Sequence, residues 1–209
     1  MTPLKYITIY ALCVISFSAH AATPSEELSA KLQAINTFTA TFEQRIFDKT
    51  NAPLQQTEGK VIVKNPGKFY WSVKPPFEQL VVTNGSKLWV YDPDMEQVTV
   101  YQKDQLDATP AQILSGDFTR ISTDYTVSKQ ALKKGEQSYV MAPLKATPNG
   151  FESLKFVFNS KNILSAMVLT DKLEQRTEVK FSKQTANKPV KDQQFDFVPP
   201  DGVDVIASE

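Results

Sequence analysis

The sequence is poor in the residues on which most enzyme chemistry depends. Its 209 residues hold one cysteine and one histidine, Cys13 and His20. Both fall in the first 21 residues, which carry the marks of a secretory signal. Lys5 supplies a positive start, Tyr6 to Phe17 is an apolar run broken by Thr8 and Ser16, and small residues stand at Ala19 and Ala21. Cleavage after Ala21 is expected, leaving 22–209 as a single domain. Cys13 occupies the middle of the apolar run, with Val14 and Ile15 behind it. A lipid-bearing cysteine would close such a run, so Cys13 is expected to leave with the signal. The remaining chain then has no thiol nucleophile, no disulfide, no imidazole base and no His or Cys metal ligand. A Ser-His-Asp triad is excluded. No S-x-x-K pair and no G-x-S-x-G elbow occurs. "NPGKF" and "NGSKL" lack the length and spacing of a phosphate-binding glycine loop. Catalysis by carboxylates alone stays open.

A surplus of either charge is also missing. The sequence has 23 Lys and Arg against 23 Asp and Glu. A nucleic-acid binder needs a basic stripe, so none is expected as a partner. After Ala21 no apolar run reaches the roughly 18 residues of a membrane helix. The mature protein is expected to be soluble in an extracytoplasmic space.

Alternation is what the chain has in quantity. A short amphipathic helix comes first, "EELSAKLQAI", with Leu28, Leu32 and Ile35 at helical spacing and Ser25 as its expected N-cap. From Phe38 onward period two takes over. "FTATFEQRIF", "GKVIVK", "KFYWSVK", "EQLVVT", "KLWVYD" and "QVTVYQ" follow one another. Their joints are Pro66-Gly67, Pro75-Pro76, Asn84-Gly85 and Asp92-Pro93-Asp94. Asn-Gly between apolar runs is a strong hairpin signal, and an antiparallel meander is expected. Asp104 to Phe118 breaks the pattern. Thr109 can cap a second short helix there, with Pro110 at its first position, Gly116 at its end, and Ile113 and Leu114 at its apolar tip. Strands then resume through "DYTVSKQALKK", "QSYVMAPLK", "SLKFVFN", "LSAMVLTD" and "RTEVKFS". A polar connection, Lys183 to Gln194, leads to "FDFVPPDGVDVI". The expectation is a mainly β protein of about eleven antiparallel strands. A sheet of that size must curl, split or close.

Phe69, Trp71 and Val73 share one face of their strand, and Val61 and Val63 precede them. Leu80 and Val82, or else Val81, continue the row, with Leu154, Phe156, Phe158, Met167, Leu169, Val179 and Phe181 on later strands. Two readings compete. The row is an ordinary sandwich core, or it lines a cavity for an apolar ligand. Asp92, Asp94 and Glu96 resemble part of a calcium loop, but the central Gly and the distant Glu are missing, so a solvated turn is expected. No catalytic carboxylate pair, cofactor site or metal site is expected.

Several segments resemble one family. "NGSKLWVYDPDMEQVTVY" is similar to the signature D/N-G-x-x-L-W-x-Y-D/N-P-x-x-x-Q of the LolA family of outer-membrane lipoprotein carriers. "VKNPGKFYW", "FTATFEQ" and "FDFVPPDGVDV" resemble its K-x-P-x-x-F-x-W, F-x-A-x-F-x-Q and F-x-F-x-P-P-x-G-V segments. The resemblance implies an unclosed antiparallel β half-barrel with short α-helices forming a lid over a hydrophobic cavity. It implies a lipid-binding cavity at Phe42, Val61, Val63, Phe69, Trp71, Val73, Val81, Phe156 and Phe158. It implies a lid carried by Leu28, Leu32, Ile35, Ile113 and Leu114. It further implies a monomeric periplasmic chaperone that is not an enzyme. Its partners would be acylated lipoproteins, an inner-membrane lipoprotein-releasing ABC transporter and an outer-membrane receptor. One departure stands out. Many members have Arg next to the Pro of the second motif, where it holds the lid. Here that position is Asn65, an uncharged and shorter donor. Lys64 or Lys68 could take over the contact. Two other functions stay open: the outer-membrane receptor of similar fold, and a periplasmic hydrolase using carboxylates alone.

Overall fold

The alternating segments form one sheet. The structure, a computed structural model, describes residues 22–102, 114, 116, 118–145 and 151–207. Helix α1 spans Pro24–Gln33. Strands β1 (Thr37–Phe47), β2 (Pro53–Lys64), β3 (Lys68–Val73), β4 (Gln79–Asn84), β5 (Lys87–Asp92) and β6 (Gln97–Gln102) follow as the expected meander. A one-turn helix, α2 (Ile121–Asp124), precedes β7 (Tyr125–Ala131), β8 (Gln137–Pro143), β9 (Phe151–Phe158), β10 (Leu164–Asp171), β11 (Arg176–Ala186) and β12 (Asp204–Ala207). The order across the sheet is β12-β6-β5-β4-β3-β2-β1-β11-β10-β9-β8-β7. Strands β12 and β7 stand at opposite edges and do not pair, so among the described residues the sheet is unclosed.

Three details differ from the sequence expectation. Among the described residues there are twelve strands, and the added one, β12, pairs with β6 in parallel. The chain beyond β11 reaches that edge by crossing the sheet, and it arrives running the same way as β6. The cap of α1 is Thr23, not Ser25. Thr23 Oγ1 accepts from the Glu26 backbone amide, and the Glu26 carboxylate accepts from the Thr23 amide, closing a capping box. Pro24 then sits in the first turn, where its missing N–H costs nothing. Finally, Thr109, Pro110 and Ile113 lie outside the described residues, whereas α2 was not anticipated.

Parity divides the sheet into an inner and an outer face. Phe42 stands opposite Phe181 on one side and Gly59 on the other. Trp71 stands between Val61 and Val81. These are inner positions. Ile62, Tyr70, Val82 and Trp89 pair in sequence across β2 to β5 and face outward. Over β3 to β5 the outer face is covered by the chain after β11. A 3-10 turn at Asp192–Phe195 packs there, with Phe195 fully buried. The Phe197 ring lies 6.3 Å from Trp89 and 6.0 Å from Tyr91. The tryptophan segment and the closing F-x-F segment of the family resemblance therefore meet on the outer face.

Candidate functional site: the covered inner face

The inner face is a continuous apolar surface. Phe38, Ala40, Phe42, Val61, Val63, Phe69, Trp71, Leu88, Leu154, Phe156, Phe158, Met167, Val179 and Phe181 are buried in one cluster. Val73 and Val81 are partly buried against it. All nine positions named from the sequence as cavity-lining are thus on the same face. Of the alternatives offered for β4, Val81 faces inward and Val82 outward.

Its tightest point depends on a glycine. The Phe42 and Trp71 rings stack at 3.8 Å between centroids and 20° between planes. They come from β1 and β3, so the Phe42 ring must cross β2. It does so above Gly59, where an added Cβ would lie 2.4 Å from Phe42 Cζ and 2.0 Å from the Ser72 carbonyl oxygen. Nothing larger than hydrogen fits. "GKVIVK" had signalled only a strand start at this point.

No second sheet covers this face among the described residues. The cover is helix α1, α2 and the chain just before it. Leu28 and Leu32 are fully buried in the cluster, and Ile35 packs against its rim. Leu114, Phe118 and Ile121 are buried in it as well. Ile113, the remaining position for which the resemblance implies a lid role, lies outside the described residues. Phe118, Tyr139 and Met141 belong to the cluster too, but they sit in segments whose alternation with polar residues was too short to single them out.

The cover is fastened by a small set of polar contacts. At the C-terminal end of α1, Asn65 Nδ2 donates to the Ile35 carbonyl at 2.7 Å. Asn187 Nδ2 donates to the Ala34 carbonyl at 2.9 Å, and Asn187 Oδ1 accepts from the Asn36 amide at 2.8 Å. Two asparagines thus satisfy the carbonyls that this helix end leaves open, and one of them also takes the Asn36 amide just beyond it. Asn65 Oδ1 is buried without a partner. In mid-helix, Ser29 Oγ donates to the Phe118 carbonyl at 2.7 Å, joining α1 to the chain before α2. Near the N-terminus, Glu27 Oε2 accepts from Lys129 Nζ at 2.5 Å and from Tyr139 Oη at 2.8 Å. Those two bonds hold the Glu27 carboxyl below the usual carboxylate range, Lys129 contributing most. The same bond raises the Lys129 ammonium. Burial, then the Glu27 contact, raises the Tyr139 phenol. Lys31, lowered chiefly by burial, bonds Asn162 Oδ1 and lies over the Phe158 and Tyr139 rings. Glu27, Ser29 and Asn187 were not singled out from sequence, because their partners lie 89 to 153 residues away.

Lys64 and Lys68 point elsewhere. Both ammonium groups reach Asp192 Oδ1 on the outer face, at 2.7 and 3.1 Å. They are cross-strand neighbours of like charge, and the carboxylate between them removes the repulsion. They pull the Asp192 carboxyl below its ordinary range. The contact from this region to the end of α1 is therefore made by the Asn65 amide. No group of His, Cys, Asp or Glu able to hold a metal occurs among the described residues. In the Asp92 turn, Asp92 Oδ1 accepts from the Met95 amide.

Comparison with known proteins follows the same geometry. The family described as outer membrane lipoprotein carrier protein LolA matches residues 33–198. An outer-membrane lipoprotein carrier protein of Hahella chejuensis is 37% identical over 99% of this chain and 98% of its own length. One from Nitrosomonas europaea is 34% identical over 99% of both chains. Among solved structures, an uncharacterized conserved protein from Thermus thermophilus covers 89% of this chain and 100% of its own, at a TM-score of 0.55 and 11% identity, a likeness of fold alone. The match runs from the end of α1 to the outer-face segment after β11, across every strand that builds the inner face, and the chain belongs to the LolA family of outer-membrane lipoprotein carriers.

Proposed function

We propose that this protein is a periplasmic chaperone that shelters the acyl chains of lipoproteins between two membranes. Residues 1–21 would direct secretion and 22–209 would be the carrier. The observation that supports this most is the cover of the inner face. A sheet with this much aromatic and aliphatic surface is covered, among the described residues, by a ten-residue helix and a short segment rather than by a second sheet.

Burying an acyl chain is worth about 0.8 kcal/mol per methylene. Several chains left in water would cost tens of kcal/mol on that scale. The carrier trades one apolar shelter for another. Empty, Leu28, Leu32 and Leu114 occupy the face lined by Phe42, Val61, Val63, Phe69, Trp71, Val73, Val81, Phe156 and Phe158. Loaded, acyl chains take their place and α1 swings aside, a population shift between two packings of one surface. With no nucleotide loop of its own, the protein is loaded by an inner-membrane ABC transporter. It unloads downhill to an outer-membrane receptor. No reaction is catalysed.

The test is acyl-probe binding by Phe69→Glu. A carboxylate on a dry apolar face is costly, so probe binding should fall at least tenfold while the protein is still secreted. Thermal stability is measured alongside. A loss of stability with unchanged probe binding would return Phe69 to an ordinary core and remove the support for a cavity.

A further inference from the structure

The apolar rows of the inner face are interrupted on β1 and β2 by a polar step. Phe42 stands between Phe181 and Gly59. Two residues further along β1, Gln44 stands between Val179 and Thr57. Two further still, Ile46 stands between Thr177 and Gln55. Strand parity puts Gln44 and Thr57 on the same face as Phe42 and Val61. Thr57 is only 8% exposed, and its hydroxyl oxygen is buried with no hydrogen-bond partner. A buried hydroxyl without a partner is destabilising. Valine would fill the same volume without that penalty. The neighbouring groups are neutral as well. Glu43 and Arg45 lie on the opposite face and pair with each other.

We propose that Thr57, with Gln44 beside it, is the subsite for the ester carbonyl of the acyl cargo. This rests on the carrier reading and deepens it. An acyl chain is apolar along its length and ends in one strong acceptor, the carbonyl oxygen where it joins its head. Chains lying on Phe42, Trp71 and Phe181 meet polar groups at Gln44 and Thr57, with Val179 and Ile46 as the apolar neighbours on either side. There a hydroxyl and an amide can donate to that oxygen. Neutral donors suit an ester, whereas a phosphate or carboxylate would call for Lys or Arg. The step sets how deep the chains enter, so the head stays at the open end of the face. Buried Ser138 also lacks a partner, but it alternates with the inner residues Tyr139 and Met141 and so faces outward.

The experiment compares a diacylglycerol with the dialkylglycerol of equal chain length, which lacks the carbonyls. Each is titrated against the wild-type protein, Thr57→Val and Thr57→Ser. The wild type should prefer the diacyl lipid by roughly three- to tenfold, the scale of one neutral hydrogen bond. Thr57→Val should bind the two lipids equally and melt no lower than wild type. Thr57→Ser should restore the preference. Equal affinities of the wild type for both lipids, or a preference that survives in Thr57→Val, would overturn the subsite and leave the carrier function standing. Failure of the wild type to bind either lipid would overturn the carrier function itself, and the subsite with it.

Discussion

The inner face of the sheet and the β2 to β5 part of its outer face are both apolar and both covered, yet they are covered in different ways. On the outer face the segment after β11 buries Phe195 and lays Phe197 beside Trp89, then becomes β12 and bonds main chain to main chain with β6. Asp192 fastens it to Lys64 and Lys68 on the way. On the inner face α1 brings its own backbone hydrogen bonds with it and adds none to the sheet ladder. It is held by apolar contact and by a few side-chain bonds from Asn65, Asn187, Ser29 and Glu27. Removing the outer cover breaks a strand pairing and exposes core. Removing the inner cover breaks apolar contacts and a few side-chain bonds, which acyl chains would replace on the proposed function. One cover is part of the fold; on the carrier function proposed above, the other is a movable occupant of the inner face.

Truncating one anchor on each side should expose this difference most strongly. Phe195→Ala deletes a fully buried ring under the outer cover. It should lower global stability by about 3–5 kcal/mol, read as a fall in denaturant midpoint, with no gain in probe binding by the folded protein. Leu32→Ala deletes an equally buried side chain of α1. Large-to-small changes of this kind cost about 2–5 kcal/mol. Much of that should appear as local opening of α1, because the helix can leave without unfolding the sheet. The expected readout is faster amide exchange in Ser29 to Gln33 and stronger binding of an apolar probe, with a smaller midpoint shift than Phe195→Ala. If both variants lower the midpoint alike and neither changes probe binding, α1 is welded to the core and the two covers are equivalent.

The sequence made one half of this comparison visible. Phe69, Trp71 and Val73 announced an apolar face, and alternation carried it across β2 to β5 and β9 to β11. Alternation has two faces, however, and cannot say what covers each. Trp89 and Tyr91 belong by parity to the outer face, where Phe197 returns to meet them from about a hundred residues away. β12 went unrecognised as a separate strand because its four residues are all exposed and show no alternation of burial. The cap at Thr23 was missed by two residues, since Ser25 satisfied the same local rule and only the Glu26 bond separates them. Asn65 was found because it departs from a motif. Its partner, the Ile35 carbonyl, was not legible, because a backbone acceptor has no sequence signature. Thr57 and Gly59 carried no signal at all, since their meaning lies in what stands across the strand.

Asn65 sharpens the comparison from the lid side. Its amide makes one bond to the end of α1, and its own oxygen is left buried and unpaired. Asn65→Arg would replace this with a charged donor facing the carbonyls at the helix end. Bonds to charged groups are worth roughly 1.5–3 kcal/mol, against about 1 for a neutral one. The lid should close more fully. Affinity for an apolar probe should drop roughly threefold to tenfold, and amide exchange in α1 should slow, while the denaturant midpoint moves little. An unchanged probe affinity and unchanged exchange would mean that apolar packing of Leu28 and Leu32 alone sets lid closure.

The smallest effect belongs to the other end of α1. Glu27 faces Lys129 and Tyr139 directly and Lys31 at longer range. Its carboxyl is held below the ordinary value of about 4.3. A group lowered in the folded state stabilises it fully above its unfolded value, and the contribution is lost as pH falls through the folded value. Lys129 is raised, so its contribution is complete below its ordinary value of about 10.4 and is lost only as pH climbs through the folded one. The tether should therefore be constant from about pH 5 to 9 and weaken under acid below about pH 4. Both side chains remain about a third exposed, 30% for Glu27 and 33% for Lys129, so solvent screens the pair. Protection of the first turns of α1, corrected for intrinsic exchange, should fall by only about two- to fivefold on acidification. Raising the salt should remove part of the same protection at neutral pH. Glu27→Gln keeps an oxygen for the Tyr139 hydroxyl and loses the charge, so it should begin with the lower protection and stay flat through the acid range. An acid-induced loss of equal size in Glu27→Gln would assign the titration to another carboxylate and leave α1 held at this end by packing alone.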